Sequence, residues 1–311
     1  MADEKVSKAV ILAAGNGSHL RPFSNYVPKP FLPYGDKPII YHHIKALSEC
    51  GIKDIVVITR KDENNDGAFK LQNEYLKNLS KDPELKEIKI GIAYQEVDSI
   101  TKKPRGTADA IVAAEEQLKG HNYIVLLGDL IIEGRNEASY IKELIGHFKG
   151  TPLFSMDSVA RDDAKRGGLV KGKTLEDILE MEEAIEKPDD YILDAMNSAD
   201  ERYNVMWGGV YILNKNSMPY LKNVKPGKDG ELNITDAISL QCKIENSRAY
   251  GLLINKDKYI CKDFGTIDHW LENNLEKENF EKFINSIKLY PEEFTRMVHE
   301  YVRNKYGISL L

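Results

Sequence analysis

Four short apolar runs in the first 130 residues constrain this chain most. They are KAVILAAG (residues 8–15), DIVVITR (54–60), IKIGIAYQ (88–95) and YIVLLGD (123–129). Each is rich in Val, Ile and Leu and polar only at its ends, as expected of strands covered on both faces. Helical patterns lie between them. After Pro38, the residues Ile40, Ile44 and Leu47 share one helical face and Gly51 stops it; after Thr107, Ile111, Ala114 and Leu118 do the same before Gly120. Strands alternating with helices of this length predict an α/β fold, a doubly wound and mainly parallel sheet.

Residues 61–82 are polar and helical in pattern, an exposed excursion between two strands. Beyond residue 150 the rhythm loosens. TPLFSMDSV, GGLV, MEEAIEKP, VMWGGVYIL, AYGLLI and YICKDFGT read as short strands, and residues 189–203 and 226–231 as loops. The last stretch is helical, with Phe294, Met297, Val298 and Tyr301 forming an apolar stripe that would dock on its own domain or on a second subunit. The expected division is a catalytic domain over residues 1–265, with halves of about 1–150 and 151–265. A C-terminal helical segment, 266–311, would follow as a possible oligomerisation element.

Composition excludes several classes. Of 311 residues, 30% are charged and the formal net charge is −6, so no basic field argues for nucleic acid. No apolar run approaches the length needed to span a bilayer, and MADEKVSK at the start has no signal-like apolar region. Cys50, Cys242 and Cys261 form no CxxC pair, which fits reduced thiols and a cytoplasmic location. His42 and His43 are neighbours rather than an i, i+4 pair, so a structural or surface role is expected.

In an open parallel sheet, ligands bind beyond the carboxyl ends of the strands. There the chain places Gly15, Gly17, Ser18, His19, Arg21 and Lys29. Glycines let backbone N–H groups approach an anion, and cations neutralise it, so the loop suits a phosphate. It is neither a dinucleotide fingerprint nor a Walker A loop, because the third glycine position is Leu20 and no G-K-[ST] stands at the entry to a helix.

The longer pattern, AVILAAGNGS followed by PKPFLPYGDKPIIYHHI, resembles the signature LAAGxGTRLxPxTxxxPKPxxPxxxKPxI of the sugar-phosphate nucleotidyltransferases. GTADAI at Gly106, LLGD ending at Asp129, GGLV at Gly167, EKP at Glu186, GGVYIL at Gly208, GELNITDAI at Gly230 and KDFGT at Lys262 follow in the family's order. The closing EEFTRMVHEYVRNKYGI looks most like the bacterial enzymes of the family that join UTP and glucose 1-phosphate. A Rossmann-like nucleotidyltransferase fold with inserted sugar-binding strands and C-terminal helices is thereby implied.

The resemblance also implies a reaction and its residues. A sugar 1-phosphate oxygen would attack the α-phosphorus of UTP, or of dTTP, and pyrophosphate would leave, with Mg²⁺ held by Asp129 and Asp263. Lys29 and Lys187 would hold phosphates, with Arg21 and His19 beside the triphosphate. Leu12, Ala14, Gly15, Gly17 and Ser18 would line the nucleoside and its phosphates. Gln95, Gly106 and Thr107 would read the base, since a side-chain amide can both donate and accept. Gly168, Glu186, Lys187 and Gly209 would hold the sugar phosphate. The implied assembly is a homo-oligomer, a dimer or tetramer.

One position departs from the family. His19 stands where the G-x-G-[ST]-R pattern has arginine. Neutral imidazole lacks the fixed charged fork of a guanidinium. Either Arg21 supplies the charge or phosphates keep His19 protonated, or the site is weakened and the protein is a slow enzyme or a sugar-nucleotide sensor. Thymidylyl transfer, or uridylyl transfer to another sugar 1-phosphate, stands as the nearest alternative activity.

Overall fold

The computed structural model describes residues 5–61, 68–79, 81–101, 103–135, 139–196, 202–228 and 230–310. Its strands are β1 (Val6–Leu12), β2 (Pro33–Tyr34), β3 (Lys37–Pro38), β4 (Asp54–Thr59), β5 (Lys89–Tyr94), β6 (Asn122–Leu127), β7 (Leu130–Gly134), β8 (Leu153–Val159), β9 (Gly168–Leu175), β10 (Ile178–Glu186), β11 (Tyr203–Leu213), β12 (Ala249–Leu253) and β13 (Tyr259–Asp263). Nine of them form one sheet in the order β5-β4-β1-β6-β11-β8-β12-β10-β9. The four apolar runs pair in parallel as β5, β4, β1 and β6. β8 and β12 are also parallel to each other, while β11 and β10 run against the rest.

Alternation along the strands explains why both faces are covered. Ala9 and Ile11 of β1 join one buried cluster with Ile55, Val57, Ile124 and Leu126. Val10 joins the other with Val56, Ile58, Tyr123 and Val125. Helix Ile39–Glu49 packs on the first face through Ile40, Ile44 and Leu47; helices Thr107–Val112 and Ile234–Glu245 cover the second through Ile111 and Ile238. The helix begun at Thr107 stops at Val112 and resumes over Glu115–Leu118.

Several expectations are adjusted. The excursion at 61–82 contains helix Ala68–Leu79, as its pattern predicts, but buries Leu76 and Leu79 instead of standing fully exposed; residues 62–67 and 80 within it lie outside the described residues. Residues 189–203, expected as a loop, include the short helix Asp190–Ala195, because Leu193 is fully buried against Val159, Ala164 and Leu169. β7 had no sequence signal of its own; it exists because β13 pairs with it. The three cysteines are free. Among the described residues, no helix is long and apolar enough to cross a membrane.

The terminal stripe docks on its own chain. Helices Ile267–Leu275, Lys277–Ile287 and Glu292–Tyr306 bury Trp270, Phe283, Phe294 and Val298 completely in the first cluster. Phe23, from the proline-rich segment after β1, meets Trp270, Phe294 and Tyr301 edge-on at ring separations of 5.4 to 5.9 Å.

His43 is part of this core, 4% exposed, and burial pushes its imidazole down to about 4, with Asp129 drawing weakly the other way. His42 is lowered too, also by burial. A folded base that resists protonation stabilises the fold above the unfolded histidine value near 6.5 and costs stability as pH falls below it. Urea unfolding should therefore give a flat stability above about pH 7 and a loss approaching roughly 3 kcal/mol per fully shifted histidine by pH 4. Substitution His43→Gln should flatten much of that acid limb.

Candidate active site

The chain leaves β1, builds β4 and β5 outward on one side, and returns to place β6 on the other side of β1. A crevice opens where strand order reverses, beyond the paired ends Leu12 and Leu127. The loop after β1 carries Gly15 to Lys29, and the turn after β6 carries Asp129. Both sides of the site thus follow from one topological feature.

Gly128 brings the two sides into contact. Its N–H donates to the Leu12 carbonyl at 3.1 Å. A Cβ there would lie 2.5 Å from that oxygen and 2.8 Å from Pro30 Cγ. Pro28 and Pro30 flank Lys29 in a single 3-10 turn, so the packing of Pro30 on Gly128 directs Lys29 toward the next residue. Lys29 Nζ makes an ion pair with Asp129, the side chains being 19% and 28% exposed. Each neutralises the other within the fold.

Asp263 arrives on the ribbon of β7 and β13, paired with Leu130, and the Phe264 N–H donates to the Asp129 carbonyl at 2.9 Å. Asp263 Oδ1 accepts from the Gly265 N–H at 2.6 Å, and Oδ2 lies 3.2 Å from His269 Nδ1. Among the described residues no group of three or more His, Cys, Asp and Glu side chains converges as a metal cage. Two carboxylates lining one cavity suit a hard cation that draws its other ligands from water and phosphate oxygens.

Two cavities meet here, of about 610 Å³ and 350 Å³, and both are lined by His19, Lys29, Leu127, Asp129 and Gly265. The larger also takes in Leu12, Ala14, Gly15, Gly17, Ser18, Arg21, Gln95, Gly106 and Thr107. The smaller takes in Gly168, Glu186, Gly209 and Asp263. His19 and Arg21 are both exposed, but His19 faces both cavities while Arg21 borders only the larger. Lys187 borders neither. It follows Glu186 at the end of β10 with a left-handed φ of 45° and donates its N–H to the Gly167 carbonyl at 3.0 Å. The cation lining the smaller cavity on that side is Arg166.

Gln95 is 4% exposed and its Nε2 donates to the Gly106 carbonyl and to Asp109 Oδ2, each at 3.0 Å. Its protons are therefore engaged by the protein, which leaves its carbonyl oxygen on the side of the amide away from Gly106 and Asp109. Thr107 Oγ1 accepts from the Ile234 N–H at 2.9 Å, tying the first half to helix Ile234–Glu245.

The glycines divide by what requires them. Gly17 has a left-handed φ of 58°, and a Cβ would stand 3.0 Å from Ser24 Cβ. At Gly168 a Cβ would meet Thr235 at 2.9 Å and Glu186 Oε2 at 3.2 Å. Gly209 presses on Leu127 and Leu130. Gly15 alone among these has nothing within 4 Å of a built Cβ, so its lack of a side chain leaves room for something other than the fold.

Sequence reasoning assigned no role to Asp109, Arg166, Thr235 or His269. Asp109 and Thr235 sit inside motifs already singled out, GTADAI and GELNITDAI. Arg166 and His269 carry no motif signal; only the folded chain brings them to the site.

Comparison with known proteins adds a family. A family model described as nucleotidyl transferase matches residues 8–279. A Methanocaldococcus jannaschii protein provisionally named UTP–glucose-1-phosphate uridylyltransferase is 29% identical over 91% of this chain and 98% of its own length. A Bacillus subtilis UTP–glucose-1-phosphate uridylyltransferase is 30% identical over 78% of this chain and 81% of its own. Among solved structures, a UDP-glucose pyrophosphorylase complexed with UDP-glucose superposes with a TM-score of 0.70 at 22% identity, covering 86% of this chain and 97% of the other. A UTP-bound enzyme from Acinetobacter baumannii gives 0.65 at 18% identity, covering 94% and 99%. These two establish a shared fold.

The glycine contrast is testable without any ligand. Gly106 has φ 115°, and a Cβ would lie 2.5 Å from the Leu232 carbonyl oxygen. Thermal unfolding should show Gly106→Ala losing roughly 2–4 kcal/mol, and Gly15→Ala staying within about 0.5 kcal/mol of the parent.

Proposed function

From the premise that this chain belongs to the nucleotidyl transferase family, we propose that it transfers a uridylyl group from UTP to glucose 1-phosphate, giving UDP-glucose and pyrophosphate. The observation that carries the reading is the pair of cavities joined at Lys29 and Asp129, one lined by the glycine loop and Gln95 and the other by Glu186 and Thr235. Two substrates can lie side by side with their phosphates meeting at the junction. The names of the curated relatives supply the nucleotide and the sugar.

The reaction joins two polyanions, so it needs alignment and charge neutralisation rather than a covalent nucleophile. A phosphate oxygen of the sugar attacks the α-phosphorus in line, and the bond to pyrophosphate breaks. Asp129 and Asp263 would hold Mg²⁺, which when bound supplies positive charge beside the reacting phosphates. Lys29 exchanges its contact with Asp129 for a phosphate oxygen. Gly15 and Ser18 admit the triphosphate to the backbone, with Arg21 on the rim of the nucleotide cavity supplying the permanent charge that His19 lacks. On the sugar side Glu186 accepts hydrogen bonds from sugar hydroxyls, Gly168 and Gly209 keep the wall flat, and Arg166, which lines the cavity, balances the sugar phosphate in the place expected of Lys187.

Pyrophosphate release across nucleoside triphosphates and sugar 1-phosphates tests this directly. UTP with glucose 1-phosphate and Mg²⁺ should give the highest kcat/KM. Lys29→Ala and Asp129→Asn should each lower kcat by about 10²-fold or more. Tight UTP binding with no pyrophosphate released from any pair would sink the enzyme reading in favour of a sensor.

The His19 question has its own test. Arg21→Ala should raise the KM for UTP by roughly tenfold, the effect of removing one charged phosphate contact. If that variant behaves like the parent while His19→Arg sharply accelerates turnover, Arg21 does not compensate.

A further inference from the structure

We propose that Asp109 is a positioning residue for Gln95, holding its amide so that the larger cavity prefers pyrimidine nucleotides with an N3–H over those without one. This deepens the nucleotide-binding reading and rests on it.

A primary amide has two protons and one carbonyl oxygen, and rotation by half a turn exchanges them. At Gln95 both neighbours are acceptors. The Gly106 carbonyl and Asp109 Oδ2 each stand 3.0 Å from Nε2. With the amide reversed, its oxygen would face two other oxygens at hydrogen-bond distance in a residue only 4% exposed. That arrangement leaves buried acceptors without donors.

Neither neighbour can readily move away. The Gly106 backbone is pressed on Leu232, and the Leu232 N–H donates to the Arg105 carbonyl at 2.7 Å. Asp109 is 11% exposed and its other oxygen, Oδ1, takes Arg105 Nη2 at 2.7 Å. A carboxylate paired in this way offers only acceptors. Gln95 is fixed at its backbone as well, where its N–H donates to the Thr59 carbonyl at 2.8 Å.

Gln95 Oε1 is therefore the atom left to recognise a base. Uracil and thymine present an N3–H donor to such an oxygen. Cytosine presents an unprotonated N3, which sets lone pair against lone pair. The selectivity belongs to the pair of residues: Gln95 supplies the acceptor and Asp109 decides that an acceptor, rather than the amide N–H₂, faces the ligand. A lone glutamine could rotate and serve either base.

Equilibrium binding of UTP, dTTP, CTP and N3-methyl-UTP to the full-length chain, with Mg²⁺ present, tests this. The parent should bind UTP and dTTP about ten- to a hundredfold tighter than CTP and N3-methyl-UTP, the range for one mismatched buried hydrogen bond. In Asp109→Asn, Arg105 retains the new amide's oxygen and turns its N–H₂ group toward the Gln95 N–H₂ group. The UTP-to-CTP preference should then fall by about tenfold. Asp109→Glu, which keeps both acceptors, should retain most of it and serves if the asparagine variant does not fold. The role of Asp109 is overturned if Asp109→Asn weakens all four nucleotides by one factor, or if the parent does not distinguish UTP from N3-methyl-UTP. A parent that binds no nucleoside triphosphate would instead remove the nucleotide reading, and this inference with it.

Discussion

The approach of Gly128 to the Leu12 carbonyl and the Pro30 ring is the contact on which the site depends. At that point the exit of β6, the exit of β1 and the proline-flanked turn lie within van der Waals distance. No side chain larger than hydrogen fits there. The close approach sets Lys29 against Asp129, two charges that would be costly to leave unpaired at their degree of burial. From Asp129 the chain continues into β7, whose pairing with β13 brings in Asp263. One backbone contact thus registers the loop cation and both carboxylates.

The proline-rich segment after β1 makes few ladder hydrogen bonds of its own, apart from the short ribbon of β2 and β3. Its order comes from the far end of the chain. Trp270 Nε1 donates to the Pro33 carbonyl at 2.8 Å, Asn274 Oδ1 accepts from the Gly35 N–H at 2.9 Å, and the Tyr290 hydroxyl donates to the Phe31 carbonyl at 2.9 Å. These bonds satisfy backbone groups that would otherwise be buried without partners. The C-terminal helices, part of which lie beyond the matched family region, thereby brace the backbone that carries Lys29. The stripe of Phe294 and Val298 is spent on this bracing.

Glycine is the residue whose meaning the sequence conveys least directly. Gly15, Gly106, Gly128 and Gly168 look alike as letters in motifs. Gly106, Gly128 and Gly168 are required by protein atoms that would collide with a Cβ, and Gly15 by none. The distinction separates scaffold from ligand space, and it depends on which distant segment crosses over each position: Leu232 over Gly106, Pro30 over Gly128, Thr235 over Gly168.

The sequence by itself determined the parallel strands β1, β4, β5 and β6, the crevice at their ends, and the family, because these rest on local periodicity and on contiguous motifs. That Lys29, Asp129, Asp263 and Gln95 lie around that crevice was legible for the same reason: each closes or follows a recognisable run. Tertiary structure alone decided what those side chains face. It gave Lys29 to Asp129, committed the Gln95 amide protons to Gly106 and Asp109, kept Lys187 off the cavity lining, and brought in Arg166 and His269. These outcomes depend on pairings between residues far apart in the chain, such as β13 with β7, and no spacing along the sequence encodes the distance across such a pair.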